Sequence, residues 1–293
     1  MSGKPQPQRA ESWSFGFARD LVYAFFAVLV INSFVLASFE VPTGSMEDTV
    51  KIGDRLFVNK FIYGGSTPYT LPFTSIRIPH FRAPGLRKIA RGDVIVFDWP
   101  GTRDQVDKPN QTWYLKRCIG LPGDTIRIEQ RVVYVNGKRV QNPKQIKFLR
   151  AVPQPSDYWS PYIFPPGAKF NEDNYGPIVI PQKGWVLALD PQTFSSWETF
   201  IWREGHAAYM AEGRIFIDGR ETSRYTVERD YAFAMGDNRD DSLDSRFWGF
   251  VPLEDIIGTP ILVYWSWDPS IPVYHLYAKL CSINLRRIGT IIR

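Results

Sequence analysis

The chain has little cysteine: two residues, Cys118 and Cys281, among 293. That is too few for a disulfide scaffold or a cysteine-based zinc site, so two free thiols are expected. Histidine is nearly as scarce, and His80, His206 and His275 stand apart with no HExxH or other paired spacing. Each reads as a surface or structural residue, and no metal is expected. There is no GxSxG and no SxxK, which removes the strand-to-helix nucleophile elbow and the penicillin-binding arrangement. No basic run is interleaved with aromatics, and a net charge of +5 over this length is a weak signal, so nucleic acid is not an expected partner.

What is present begins with hydrophobicity. A hydrophobic content of 44% with 15% aromatics excludes a disordered chain. The 23 prolines and 22 glycines point to many turns and short strands. Residues 1–20 form a polar tail with Lys4, Arg9 and Arg19, read as cytoplasmic. Leu21 to Phe39 then carries no charge over nineteen residues, close to the ~20 that cross a bilayer. A soluble buried helix would show a polar face, and this run shows none. A cleaved signal peptide competes, since Val35-Leu-Ala37 reads as a cleavage site. The apolar run exceeds the ~7–15 residues usual there, so a retained anchor over 21–39 is expected. Basic residues before the span place the N-terminus in the cytoplasm and the rest of the chain outside it.

The remainder reads as mainly β. Short runs rich in β-branched and aromatic residues occur at Arg55–Asn59, Asp93–Trp99, Thr125–Ile128 and Val132–Val135. Asn136-Gly137 and Asp218-Gly219 predict tight hairpin turns. Residues 64–86 read as a loop or extended hairpin. Residues 141–228, heavy in proline and in aromatics such as Trp159, Trp185, Trp197 and Trp202, read as a smaller β-rich domain inserted in a catalytic β domain of residues 40–140 and 229–293. Ordinary core packing is expected for most of those aromatics, although some could rest at a lipid interface.

Chemistry is expected at Val41-Pro-Thr-Gly-Ser-Met46, just past the apolar run. Gly44 suits a close backbone approach or sharp turn beside the Ser45 hydroxyl. Serine is a poor nucleophile until something takes its proton, and with no histidine near a motif, lysine is what remains. Lys116 stands out in Trp113-Tyr-Leu-Lys-Arg-Cys-Ile-Gly120, where strand alternation puts Tyr114, Lys116 and Cys118 on one face and Leu115 and Arg117 on the other. Burial among apolar groups would lower its pKa and let the neutral amine act as a base. On composition alone, a solvated edge charge is the ordinary reading of a lysine in a strand.

Four segments, in order, resemble the boxes of bacterial type I signal peptidase, a membrane-bound Ser/Lys protease. They are Pro42-Thr-Gly-Ser-Met46; Ile52-Gly-Asp-Arg-Leu-Phe-Val-Asn-Lys-Phe-Ile-Tyr-Gly64; Arg91-Gly-Asp-Val-Ile-Val-Phe97 with Tyr114-Leu-Lys-Arg117 and Gly120-Leu-Pro-Gly-Asp124; and Met235-Gly-Asp-Asn-Arg-Asp-Asp-Ser-Leu-Asp-Ser-Arg-Phe-Trp-Gly-Phe-Val-Pro252. The resemblance implies Ser45 as nucleophile and Lys116 as general base, with Thr43 and the Ser45 N–H as oxyanion donors. It implies Ser242 as the serine that orients the lysine, with Asp237, Arg239, Asp244 and Arg246 as an ion-pair network behind the site. Val41, Met46, Val50, Trp113, Tyr114 and Leu115 are candidates for the substrate-pocket walls. The implied fold is an antiparallel signal-peptidase-like β structure behind one transmembrane helix, and the implied substrate is the signal peptide of an exported preprotein. Cleavage would follow a small-x-small site at the bacterial inner membrane, beside the phospholipid bilayer and the secretion translocon, with no cofactor. Ser45 would then lie at most ~20 Å beyond the span end at Phe39. The family's usual Pro-Thr-Leu is here Asp48-Thr-Val50. A specialised Ser/Lys protease of a conjugation or pilus system, and a non-catalytic anchored β module, are the alternative readings.

Overall fold

The computed structural model describes residues 13–67, 79, 81–106 and 112–292. His80, most of the tail over 1–20 and the middle of the expected loop at 64–86 lie outside the described residues. Helix α1 (Trp13–Val30) runs on through a wider π turn (Ile31–Val35) and straight into strand β1 (Leu36–Glu40). The stretch long and apolar enough to cross a membrane is therefore Gly16–Val35, with none of it buried. This corrects the expected anchor of 21–39. Leu36 to Phe39 are equally apolar, but the alternation of buried Ala37 and Phe39 against exposed Ser38 and Glu40 fits a half-buried strand, and β2 (Asp54–Asn59) pairs with it antiparallel.

The later strands follow the sequence pattern closely. They are β3 (Val94–Asp98), β4 (Trp113–Gly120), β5 (Thr125–Glu129), β6 (Val132–Val135), β7 (Lys138–Arg139), β8 (Tyr175–Val179) and β9 (Val186–Ala188). After the short helix α2 (Glu198–Arg203) come β10 (Ala208–Ala211), β11 (Arg214–Ile217), β12 (Arg220–Glu221), β13 (Arg224–Thr226) and β14 (Tyr231–Met235). Helix α3 (Ser245–Trp248), β15 (Val251–Pro252), β16 (Ile256–Ser266) and α4 (Leu276–Cys281) complete the order. Both dipeptide turns form as their sequences require: Asn136-Gly137 joins β6 to β7 and Asp218-Gly219 joins β11 to β12, all four residues at positive φ.

One antiparallel sheet runs β1-β2-β16-β3-β4-β14-β15, and a second runs β7-β6-β5-β8. The second sheet begins at Thr125 and takes β8 from beyond residue 141, so the change in composition at 141 is not where the chain changes sheets. Its inner residues Ile126, Ile128 and Val133 join Tyr175, Phe200 and Tyr231 in the largest core cluster, against which Trp197 and Trp202 pack. Trp159 is instead exposed. A separate cluster of Val41, Met46, Val50, Leu56, Leu115 and Val263 underlies the strands that flank Ser45. Both cysteines are free, Cys118 buried and Cys281 exposed.

Two strand edges stay open beside the Ser45 segment. β1 ends the first sheet, so its outer edge has no partner strand among the described residues. β4 pairs with β3 along Trp113–Arg117 but with β14 only from Arg117 onward, so the other edge of Trp113–Lys116 is open too.

Candidate active site

Just past β1, the backbone is extended at Thr43 and winds into a single 3₁₀ turn over Gly44–Met46. That turn is held from the other side of the molecule: Asn238 N–H donates to the Ser45 carbonyl at 3.1 Å, and its side-chain amide donates to the Gly44 carbonyl at 3.2 Å. The glycine that close approach requires is Gly236, where a Cβ would sit 2.5 Å from the Ser45 carbonyl oxygen and closer still to Ser242 Oγ. Gly44, expected to need such freedom, has no atom within 3.8 Å of a hypothetical Cβ and no positive φ. The left-handed residue is Asp48, at φ 73°, the third position of a turn closed by Thr49 N–H to the Met46 carbonyl at 3.1 Å. Proline, fixed near φ −65°, could not take that conformation, so the departure from Pro at position 48 is matched by the backbone.

Lys116 Nζ donates to Ser45 Oγ at 2.5 Å across 71 positions of sequence, and both residues are buried. The lysine is 1% exposed and its amine nitrogen lies 5.4 Å from the centre of the Tyr114 ring. Loss of hydration brings its pKa down to about 8; Asp244 pulls back upward, Arg246 pushes further down, and Asp237 and Asp241 oppose it. An amine of that pKa is substantially neutral in weakly basic solution and is in contact with the hydroxyl whose proton it would take. Thr43 Oγ1 lies 3.3 Å from Ser45 Oγ on the open side.

A cavity of about 240 Å³ opens in front of this pair. Val41, Met46, Trp113, Tyr114 and Leu115 line it as expected. Val50 does not: it is fully buried in the cluster beneath, a correction to its assignment as a pocket wall. Phe39 and Thr112 do line the cavity and were missed, Phe39 because its run reads as membrane span.

Behind the pair, Asp244 and Arg246 form the expected ion pair through two hydrogen bonds of 2.9 and 2.8 Å, with Gly236 N–H adding a third at 3.0 Å. Burial alone would raise the Asp244 carboxyl, but Arg246 and these donors hold it below the usual range. Asp237 pairs with Arg117 through bonds of 2.8 and 2.6 Å, and Thr49 Oγ1 donates to the same carboxylate at 2.6 Å. Arg117 and Thr49 carry no assignment from sequence; the adjacency of Arg117 to Lys116 was the one available signal. Arg239 departs from the expected network. Its Nε donates to the Gly236 carbonyl at 3.0 Å, and no carboxylate pairs with it among the described residues. Ser242 departs as well: its hydroxyl is buried beside Gly236 but makes no hydrogen bond to the Lys116 amine, so the direct lysine-orienting contact is not formed. Away from the site, His206 is held between Asp218 at 2.7 Å and Glu228 at 3.0 Å on the surface.

Residues 14–265 match the family described as Signal peptidase, peptidase S26. The chain is similar to Signal peptidase I of Pseudomonas aeruginosa, 30% identical over 287 residues that cover 91% of this chain and 75% of that protein. Similarity to Signal peptidase I of Buchnera aphidicola is also 30%, covering 91% and 78%. The Rickettsia typhi protein of the same name is 30% identical, covering 89% of this chain and 87% of its own length.

Proposed function

The chain belongs to the signal peptidase family, peptidase S26, and is thus a serine peptidase, and from that premise we propose that Ser45 and Lys116 cleave signal peptides as a nucleophile–base pair. The observation that carries the proposal is the 2.5 Å contact between a buried amine and a buried hydroxyl, with the buried Asp237 and Asp244 nearby already paired to arginine. The neutral Lys116 amine takes the Ser45 proton as Oγ attacks the scissile carbonyl. Thr43 Oγ1 and the Ser45 N–H stand where the oxyanion develops, each donor worth ~3 kcal/mol at comparable sites. Lys116 then returns its proton to the leaving amine, and a water deprotonated by the same lysine hydrolyses the acyl-enzyme.

The substrate enters as an added strand. The open edges of β1 and of Trp113–Lys116 border one cavity, so an extended peptide between them finds backbone partners on both sides. Phe39, Val41, Trp113 and Leu115 line that cavity, and the choice of a small-x-small site is assigned to them. Gly16–Val35 anchors the chain in the inner membrane with the N-terminus cytoplasmic. Because the span ends at Val35, ten residues before Ser45, the nucleophile lies within ~33 Å of it.

Purified full-length protein in detergent, assayed on a preprotein, tests the reading. Ser45→Ala should abolish cleavage, and kcat/KM of the wild type should rise with pH through about 8, since only the neutral amine is active. Undiminished cleavage by Ser45→Ala, or a rate independent of pH between 6 and 9, would sink it.

A further inference from the structure

Arg239 is 3% exposed, and among the described residues it is the one buried arginine behind the site that has no acid of its own. Arg117 and Asp237 balance each other, as do Arg246 and Asp244. A guanidinium cannot shed its proton inside a protein, so the cluster carries an uncompensated positive charge. A buried charge without a counter-ion is costly, and such a charge beside an opening calls for an anion from outside.

The opening exists. A cavity of about 180 Å³ is bounded by Gly92, by Arg117, Cys118 and Ile119 of β4 and by the segment after β7. Arg91, Arg117 and Arg239 all line it, and none of its lining residues is acidic. Arg91 and Arg117 are each anchored by two bonds to Asp124 and Asp237, which fixes them in place. Arg239 has given only its Nε to the Gly236 carbonyl. Cys118 also lines the space, and burial pushes its thiol up to about 12, so it contributes no negative charge. Gln141 and Asn142, both exposed, line the cavity at the rim.

We propose that this cavity is a binding site for a small oxyanion of the phosphate type, seated on Arg239 with Arg91 and Arg117 beside it. Arg239, with no carboxylate bound to it among the described residues, and the two carboxylate-paired arginines border a space that no acidic residue lines, and charge-assisted bonds from guanidinium to an oxyanion are the strong ones. The volume holds such an ion with room to spare for water or a small organic substituent. The bound ion would complete the charge balance behind Asp237, which holds Thr49 and, through it, the turn that comes after Ser45. The site stands independently of the cleavage mechanism, because none of its residues touches the reacting atoms.

Thermal unfolding of the full-length protein in detergent tests the site, with inorganic phosphate titrated against sodium chloride of matched ionic strength. The expected result is a saturable rise in Tm with phosphate and none with chloride. Glycerol 3-phosphate, the second probe, distinguishes the free ion from a phosphorylated headgroup: a response at least as strong assigns the site to the latter, and a weaker one to the free ion. Arg239→Met should erase the response. If that variant does not fold, Gln141→Glu decides, because Gln141 is exposed and its replacement puts a carboxylate at the rim; phosphate affinity should fall by ~10-fold or more. Equal rises in phosphate and chloride, or a Gln141→Glu protein that responds as the wild type does, would overturn the proposal.

Discussion

The two buried regions of the molecule are made of different material. Beneath β5, β6 and β8 the interior is aliphatic and aromatic, with Ile126, Ile128, Val133, Tyr175, Phe200 and Ile201 all in one cluster. Around the junction of β4 and β14 the interior holds Lys116, Arg117, Asp237, Arg239, Asp244 and Arg246, none more than 4% exposed. Apolar burial stabilises in proportion to the area removed from water. Buried ion pairs roughly repay their own desolvation and add little beyond it. The first region therefore holds the fold together, and the second uses part of that stability to keep an amine short of water beside a hydroxyl. Substitutions in the two should separate stability from activity in opposite directions.

The widest separation is expected at Lys116→Met. On the proposed mechanism cleavage should fall by ~10³-fold or more, since a nucleophile and its base act as one unit. Stability should nonetheless rise. The folded pKa of about 8 lies below the ~10.4 of an unfolded lysine, so below pH 8 the protonated amine burdens the folded state alone. The burden is roughly 3 kcal/mol at pH 7, shrinks as pH rises from 8 to about 10.4, and is gone above that. Denaturant melts of wild type and variant at pH 7 and pH 10.5 should show the gain at the lower pH and lose it at the higher. A variant less stable than wild type at pH 7 would mean that the lysine is held by interactions that outweigh its desolvation.

The opposite case is Ile126→Ala. Ile126 is fully buried, and its side chain fills the space that Gly120 leaves open, with Ile126 Cδ1 2.6 Å from where a Cβ at that glycine would stand. Truncation should cost ~2–5 kcal/mol of stability, the range for a buried isoleucine. Cleavage per folded molecule should stay unchanged. If kcat/KM measured well below the melting temperature fell together with stability, the two regions would be one mechanical unit, joined through Arg246, whose Nη1 donates to the Glu172 carbonyl at 3.2 Å.

The same division governs how much the sequence could tell. Apolar alternation and turn dipeptides are local, so β2, β3, β5, β6 and β11 and both Asx-Gly turns were legible. The Ser45–Lys116 pair was legible because its motifs resemble a family. Pairings set by the curl of the sheet were not. Nothing near Arg117 announces that Met235 will pair with it and bring Asp237 within reach. The run Leu36–Phe39 is apolar enough for lipid and for a strand alike, and only the presence of β2 as a partner decides. Val50 reads as a pocket wall by its nearness to Ser45, yet the left-handed turn at Asp48 sends the chain back into the core before it arrives.

That turn gives the smallest expected effect, and a fine test of the line between the regions. Asp48 is exposed and sits at φ 73°, where a residue with a Cβ is strained and Asp or Asn is strained least. Asp48→Gly relieves the strain but loosens the unfolded chain, so its stability should stay within ~0.5 kcal/mol of wild type. Asp48→Ala keeps the Cβ and loses the polar group that tolerates this conformation, and should cost ~1 kcal/mol. Activity should track neither number directly. What the turn gives the site is the placement of Thr49 Oγ1, 2.6 Å from Asp237, and that contact survives as long as the turn closes. Matched melts and cleavage rates for the two variants should thus show a difference in Tm with equal kcat/KM. A drop in kcat/KM for Asp48→Gly alone would show that the rigidity of this turn, and not merely its shape, reaches Ser45.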